Sequence, residues 1–106
     1  MDSDHVIVVS TTDSEQAAHL LASGAVRDRL AACAQVVGPI TSVFRWEGEV
    51  QTETEWRLEL KTAADRVEAL RAYIVEHHEY DVPEVVVVPI TGGSADYLAW
   101  LRDETR

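Results

Sequence analysis

A chain of 106 residues sets the scale of one domain, 1–106, and at that size roughly two-thirds of the unfolded surface is buried on folding, enough for a core without disulfide or metal support. Nineteen acidic against nine basic residues give a net charge of −10, which repels phosphate backbones and anionic headgroups and argues against nucleic acid or a membrane as partner. The single cysteine, Cys33, rules out an intrachain disulfide, and an opening Met-Asp-Ser-Asp without basic residues points to the cytoplasm.

In chain order, residues 5–10 (HVIVVS) form a β-branched run that reads as a buried strand. TTDSEQ follows with two capping-box spacings, Thr12 with Glu15 and Asp13 with Gln16. Ala17, Leu20, Leu21 and Gly24 then share one face of a helix predicted to run to about Arg29. AACAQVV turns extended, and Gly38-Pro39 marks a bend or bulge. From Ile40 the pattern is a hairpin whose turn is Trp46-Glu47-Gly48-Glu49, with Gly48 free to take a positive φ. The return strand alternates: Val50, Thr52, Thr54, Trp56, Leu58 and Leu60 share one face, and Glu49, Gln51, Glu53, Glu55, Arg57, Glu59 and Lys61 the other.

A second helix, with Thr62 or Asp65 as its cap, turns Val67, Leu70 and Ile74 inward and Arg71 outward, and ends near His77 and His78. EVVVVPI is a continuous apolar run and reads as a strand buried on both faces. Ser94 is placed to cap a last short helix, with Asp96 in its first turn and an apolar surface from Tyr97, Leu98, Trp100 and Leu101. The order is β-α-β-β-α-β plus a C-terminal helix. The fold class expected is α+β, ferredoxin-like, with an antiparallel sheet and a long hairpin between its second and third strands.

That hairpin is too long for its domain. A globule of this size is about 35 Å across, whereas a strand over 50–62 at about 3.3 Å per residue stretches to roughly 43 Å. Part of it therefore lacks a partner in its own chain. Either it folds back on its sheet at a bulge, or it pairs with another subunit. The apolar tip, with Val50 opposite Phe44 and Trp46, favours the second. An oligomer is expected, with Trp46 and Trp56 at or near the subunit contact.

The chain has four histidines, and two of them, His77 and His78, are adjacent. Neighbours on a regular helix point about 100° apart and cannot chelate one ion together. They are either a cation-rich helix end or metal ligands completed from elsewhere. Cys33 is either a small buried core residue or a soft ligand suited to Cu(I). The carboxylates Glu49, Glu53, Glu55 and Glu59 read as a solvated strand face. TGGS before the last helix is too weak a signal for an anion site, and no phosphate loop or nucleophile motif is present. No enzymatic activity is expected.

Four segments, RLAACAQVV, VFRWEGEVQTETEWRLELKT, HHEYDVPEVVVVPIT and DYLAWL, together resemble the CutA family of divalent-cation tolerance proteins over almost the whole chain. The resemblance implies a tight homotrimer whose long hairpin reaches onto a neighbour, and a weak site for copper or another divalent metal. Carried over by position, it implies metal ligation by Cys33 and His78, with His77 beside it. Where many relatives have His-Pro-Tyr this chain has His78-Glu79-Tyr80, which frees the loop and adds a negative charge. The implied architecture is also similar to that of the PII signalling proteins, so the alternative function is a trimer that binds a small ligand in its intersubunit clefts.

Overall fold

The computed structural model describes residues 4–106. β1 (His5–Thr12) buries every second side chain: Val6, Val8, Ser10 and Thr12 face the core. It runs two residues beyond the predicted strand because Thr11 and Thr12 still pair with Arg57 and Trp56. Thr12 is thereby committed to the sheet and cannot cap a helix. Ser14 caps instead, its hydroxyl accepting from the Ala17 amide at 3.2 Å.

α1 (Glu15–Arg27) buries Ala18, Leu21, Gly24 and Ala25, while Leu20 is left 66% exposed. The inward stripe is therefore shifted from the predicted one, and it is built of small residues. Gly24 explains why: a Cβ there would lie 1.8 Å from the Tyr73 hydroxyl. The helix stops two residues early. The Arg29 and Leu30 amides donate back to the carbonyls of Val26 and Ala25, and Arg29 takes φ 60°, the position where glycine usually sits. Its guanidinium reaches the Glu104 carbonyl (3.3 Å) and carboxylate (3.5 Å).

β2 (Cys33–Trp46) and β3 (Glu49–Ala63) form the hairpin, joined by Glu47 (φ 51°) and Gly48 (φ 82°) in a two-residue turn with left-handed backbone at both positions. The expected irregularity is a bulge: Val37 pairs with Arg57 and Ile40 with Glu55, so Gly38 and Pro39 together oppose Trp56. A Cβ on Gly38 would stand 2.5 Å from the indole Cδ1 of Trp56, which is why glycine occupies that position. The bulge does not fold the hairpin back. Pairing continues to Trp46 and Glu49, and the molecule measures 44 × 28 × 22 Å.

A 3₁₀ turn (Ala64–Arg66) leads into α2 (Val67–His77), where Leu70 and Ile74 are buried as expected. Neither predicted cap forms. Thr62 is still in β3 and its hydroxyl donates to the Leu30 carbonyl at 2.8 Å, while Asp65 is bound to Arg106. β4 (Val86–Pro89) and α3 (Ala95–Asp103) complete the chain, with Ser94 at the cap position of α3 but making no side-chain bond.

The sheet order is β2-β3-β1-β4, antiparallel throughout, which is the ferredoxin-like arrangement. Val6, Val8, Leu58 and Leu60 pack against Leu21, Leu70 and Ile74 in the core between the sheet and α1 and α2. Lys61, on the opposite face from Leu58 and Leu60, lies over the Tyr97 ring at 5.6 Å. α3 thus covers the other side of β3 and β1, with Leu101 fully buried.

Two apolar expectations change. β4 is an edge strand, paired with β1 alone, and Val86, Val87 and Val88 are 42–48% exposed, so it is not buried on both faces within this chain. The alternation of β3 sorts buried from half-buried side chains only over residues 57–62, where β1 lies alongside. Residues 49–55 pair with β2 and leave their other edge open, with Val43, Val50 and Trp46 exposed around them. Trp56 is half-buried against the core.

Candidate functional site

The two histidines lie where the helix becomes loop, and they point to different places. His77 is the last residue of α2, exposed, its ring 4.3 Å from that of Tyr73. Its Nδ1 lies 2.9 Å from the Tyr73 carbonyl oxygen. A carbonyl only accepts, so Nδ1 carries the proton and the lone pair of the neutral ring is on Nε2. His77 therefore has one nitrogen free to bind a cation.

His78 has left the helix, with φ −85° and ψ 145°, and its ring turns onto the sheet. Its Nε2 is 2.7 Å from the Thr11 carbonyl oxygen and so donates, while its Nδ1 accepts the Tyr80 amide hydrogen at 3.0 Å. Both ring nitrogens are used, and no lone pair remains for a metal in this arrangement.

Tyr80 extends the network: its hydroxyl donates to Glu55 Oε2 at 2.8 Å. Glu55 is 7% exposed, so the carboxylate that the alternation assigns to a solvated face is buried. Burial and the neighbouring Glu55 carboxylate raise the Tyr80 phenol far above its ordinary value of 10.0, and it holds its proton as a donor. The Thr11 hydroxyl completes the group by reaching Glu84 at 3.5 Å. Sequence reasoning missed Glu55 and Tyr80. Nothing in the alternation separates Glu55 from Glu53 or Glu59; only the strand that ends beside it does.

Cys33 opens β2, a free and half-buried thiol opposite Lys61, which in turn pairs with Ile7. Thr11, the partner of His78, is four residues further along β1, about 13 Å at 3.3 Å per residue. The sheet therefore holds Cys33 and His78 near opposite ends. Among the described residues no three His, Cys, Asp or Glu side chains gather at metal-binding distance. Cys33 and the free nitrogen of His77 are thus not gathered with further ligands among the described residues. Among those residues, too, no helix is long and apolar enough to cross a membrane.

Comparison with known proteins gives one consistent result. A family model described as CutA1 divalent ion tolerance protein matches residues 6–104. The chain is 45% identical over 101 residues to protein CutA, chloroplastic, of Arabidopsis thaliana, covering 95% of this chain and 56% of that protein. It is 40% identical over 99 residues to the divalent-cation tolerance protein CutA of Thermus thermophilus, covering 93% and 96% of the two. The crystal structure of CutA1 from Oryza sativa superposes with a TM-score of 0.94 at 41% identity, covering 99% of this chain and 96% of that one. The chain spans little more than half the length of the plant relatives it matches.

Proposed function

The chain belongs to the CutA1 divalent ion tolerance family, and on that footing we propose that it is a cytoplasmic homotrimer, a binding protein and not an enzyme, that takes up copper in divalent-cation tolerance. The observation that carries the assembly is the open edge of residues 49–55. That free edge, paired with β2 on its other side and lying beside exposed Val50 and Trp46, forms a template for a strand from another copy. The exposed valines of β4 offer an edge of the same character. Copper uptake is supported by the family's association with divalent cations and by the free Nε2 of His77. A single imidazole binds weakly, so further ligands come from a neighbouring copy in this reading. Cys33 is the soft donor for Cu(I), reached independently of His77.

Native mass spectrometry with and without a copper(II) salt tests both halves together. The expected result is a species of three 11.8 kDa chains at micromolar concentration that gains copper on titration, and gains less after His77→Ala. A monomer at that concentration removes the assembly, and a trimer indifferent to copper removes the metal.

A further inference from the structure

His78 grips more of the molecule than a helix end needs. A C-terminal turn is satisfied by a donor or a cation near its last carbonyls. The His78 ring instead leaves α2 and joins two other elements, donating to Thr11 of β1 and accepting from Tyr80 in the following loop. Tyr80 then donates to Glu55 of β3. Three hydrogen bonds of 2.7, 3.0 and 2.8 Å run without a gap from one strand to another through that loop.

The two ends of this path are informative. Thr11 and Thr12 close β1, and Thr12 stands opposite Trp56. Glu55 is the first residue of β3 beyond the reach of β1, and it pairs with Ile40, the first residue of β2 after the bulge. The path therefore holds the hairpin where it ceases to be sheet and becomes a projecting arm. A carboxylate as buried as Glu55 needs a hydrogen-bond partner, and the Tyr80 hydroxyl supplies one.

We propose that Thr11, His78, Tyr80 and Glu55 form a latch that aims the arm, so that His78 is a positioning residue for assembly and not a metal ligand. The consequence for assembly rests on the homotrimer reading; the latch itself does not. Geometry shows why the root matters. The arm from Glu55 to Gly48 is about 23 Å long, so a swing of about 10° moves its tip by about 4 Å, most of the ~4.8 Å between paired strands. An arm free to swing that far loses its register with a neighbour.

Three variants separate the latch from a ligand role. Tyr80→Phe removes one hydroxyl and keeps the ring. His78→Ala removes both bonds of the imidazole, and His78→Gln supplies an amide donor and acceptor in its place. Amide hydrogen exchange is read over residues 40–55, with residues 57–62 as internal control, alongside native mass spectra with and without copper(II). Tyr80→Phe and His78→Ala are expected to speed exchange in the arm about fivefold, the size of one lost hydrogen bond, while the control strand stays unchanged. The same variants shift trimer dissociation to higher protein concentration, and His78→Gln recovers most of both effects. Copper uptake by His78→Ala stays at the wild-type level. Arm exchange unchanged in all three variants overturns the latch. So does His78→Ala losing copper with the arm still protected, which makes His78 a ligand. If the wild type proves monomeric or takes up no copper, the proposed function fails, and the latch is still decided by the exchange data.

Discussion

Tyr80 carries a measurable signature of its place in the structure. Its phenol is raised, first by burial and then by the bond to Glu55, so the folded chain keeps a proton that the unfolded chain releases above pH 10. The sign follows: its contribution to stability is complete below pH 10 and is lost as pH climbs towards the raised folded value. Thermal unfolding followed from pH 9 to 11 should fall less steeply for Tyr80→Phe than for the wild type; identical slopes would place Tyr80 in solvent. Tyr73, also raised by burial, keeps part of the slope in both proteins. That His77 and His78 do not share one target agrees with the expectation from adjacency, but the cause differs: the helix ends between them, and His78 turns away with φ −85° and ψ 145°. The partners of His78 were not legible in the sequence, since Thr11 lies 67 positions away. Glu55 was hidden for a related reason: burial of one glutamate in a row depends on where another strand stops.

At the scale of elements, two glycines set distances that no propensity would predict. Alanine at Gly24 gains about 1 kcal/mol of intrinsic helix preference, yet its Cβ would overlap the Tyr73 hydroxyl at 1.8 Å. The Tyr73 ring, stacked on His77 at 4.3 Å, has to shift to relieve it, and the lost packing is expected to outweigh that gain. Gly24→Ala is expected to lower the melting temperature, and Tyr73→Phe in the same chain to restore part of the loss. At Gly38 the obstacle is the Trp56 ring at 2.5 Å, half-buried against the core, so Gly38→Ala should destabilise by about 1–3 kcal/mol in denaturant unfolding. A loss below a few tenths would show that the indole has room to turn. The helices, the hairpin and its turn were readable from periodicity and glycine placement. The valine run of β4 was misread because continuous apolarity reports the need for cover, not which chain supplies it.

On the scale of the molecule, the long axis of 44 Å exceeds the roughly 35 Å expected of a globule this size, and the arm accounts for the excess. Gly48 has φ 82° with open space around it, so a side chain there meets no neighbour and acts through the backbone alone. Gly48→Val should raise exchange at the tip and weaken the proposed trimer, since a β-branched residue resists positive φ. In the proposed trimer, three copies of a chain of net charge −10 repel one another. Raising ionic strength from 0.01 to 0.15 M shortens the screening length from about 30 to about 8 Å and is expected to lower the concentration at which such a trimer dissociates. Sedimentation across that range would show the reverse if attraction between charged side chains held the subunits together.

Arg29, at φ 60° where a helix commonly ends on glycine, separates two properties that are often treated as one. Arg29→Gly relieves a left-handed backbone strain of about 1 kcal/mol but makes the unfolded chain freer by about the same amount. The ion pair it gives up with Glu104 is half-exposed on both sides and worth little. The melting temperature of that variant should hardly move. The last turn of α3, no longer moored to the end of α1, should nevertheless exchange its amides faster. Thermal robustness and local order then become independently adjustable: the same single substitution leaves the melting curve in place and loosens one end of the fold.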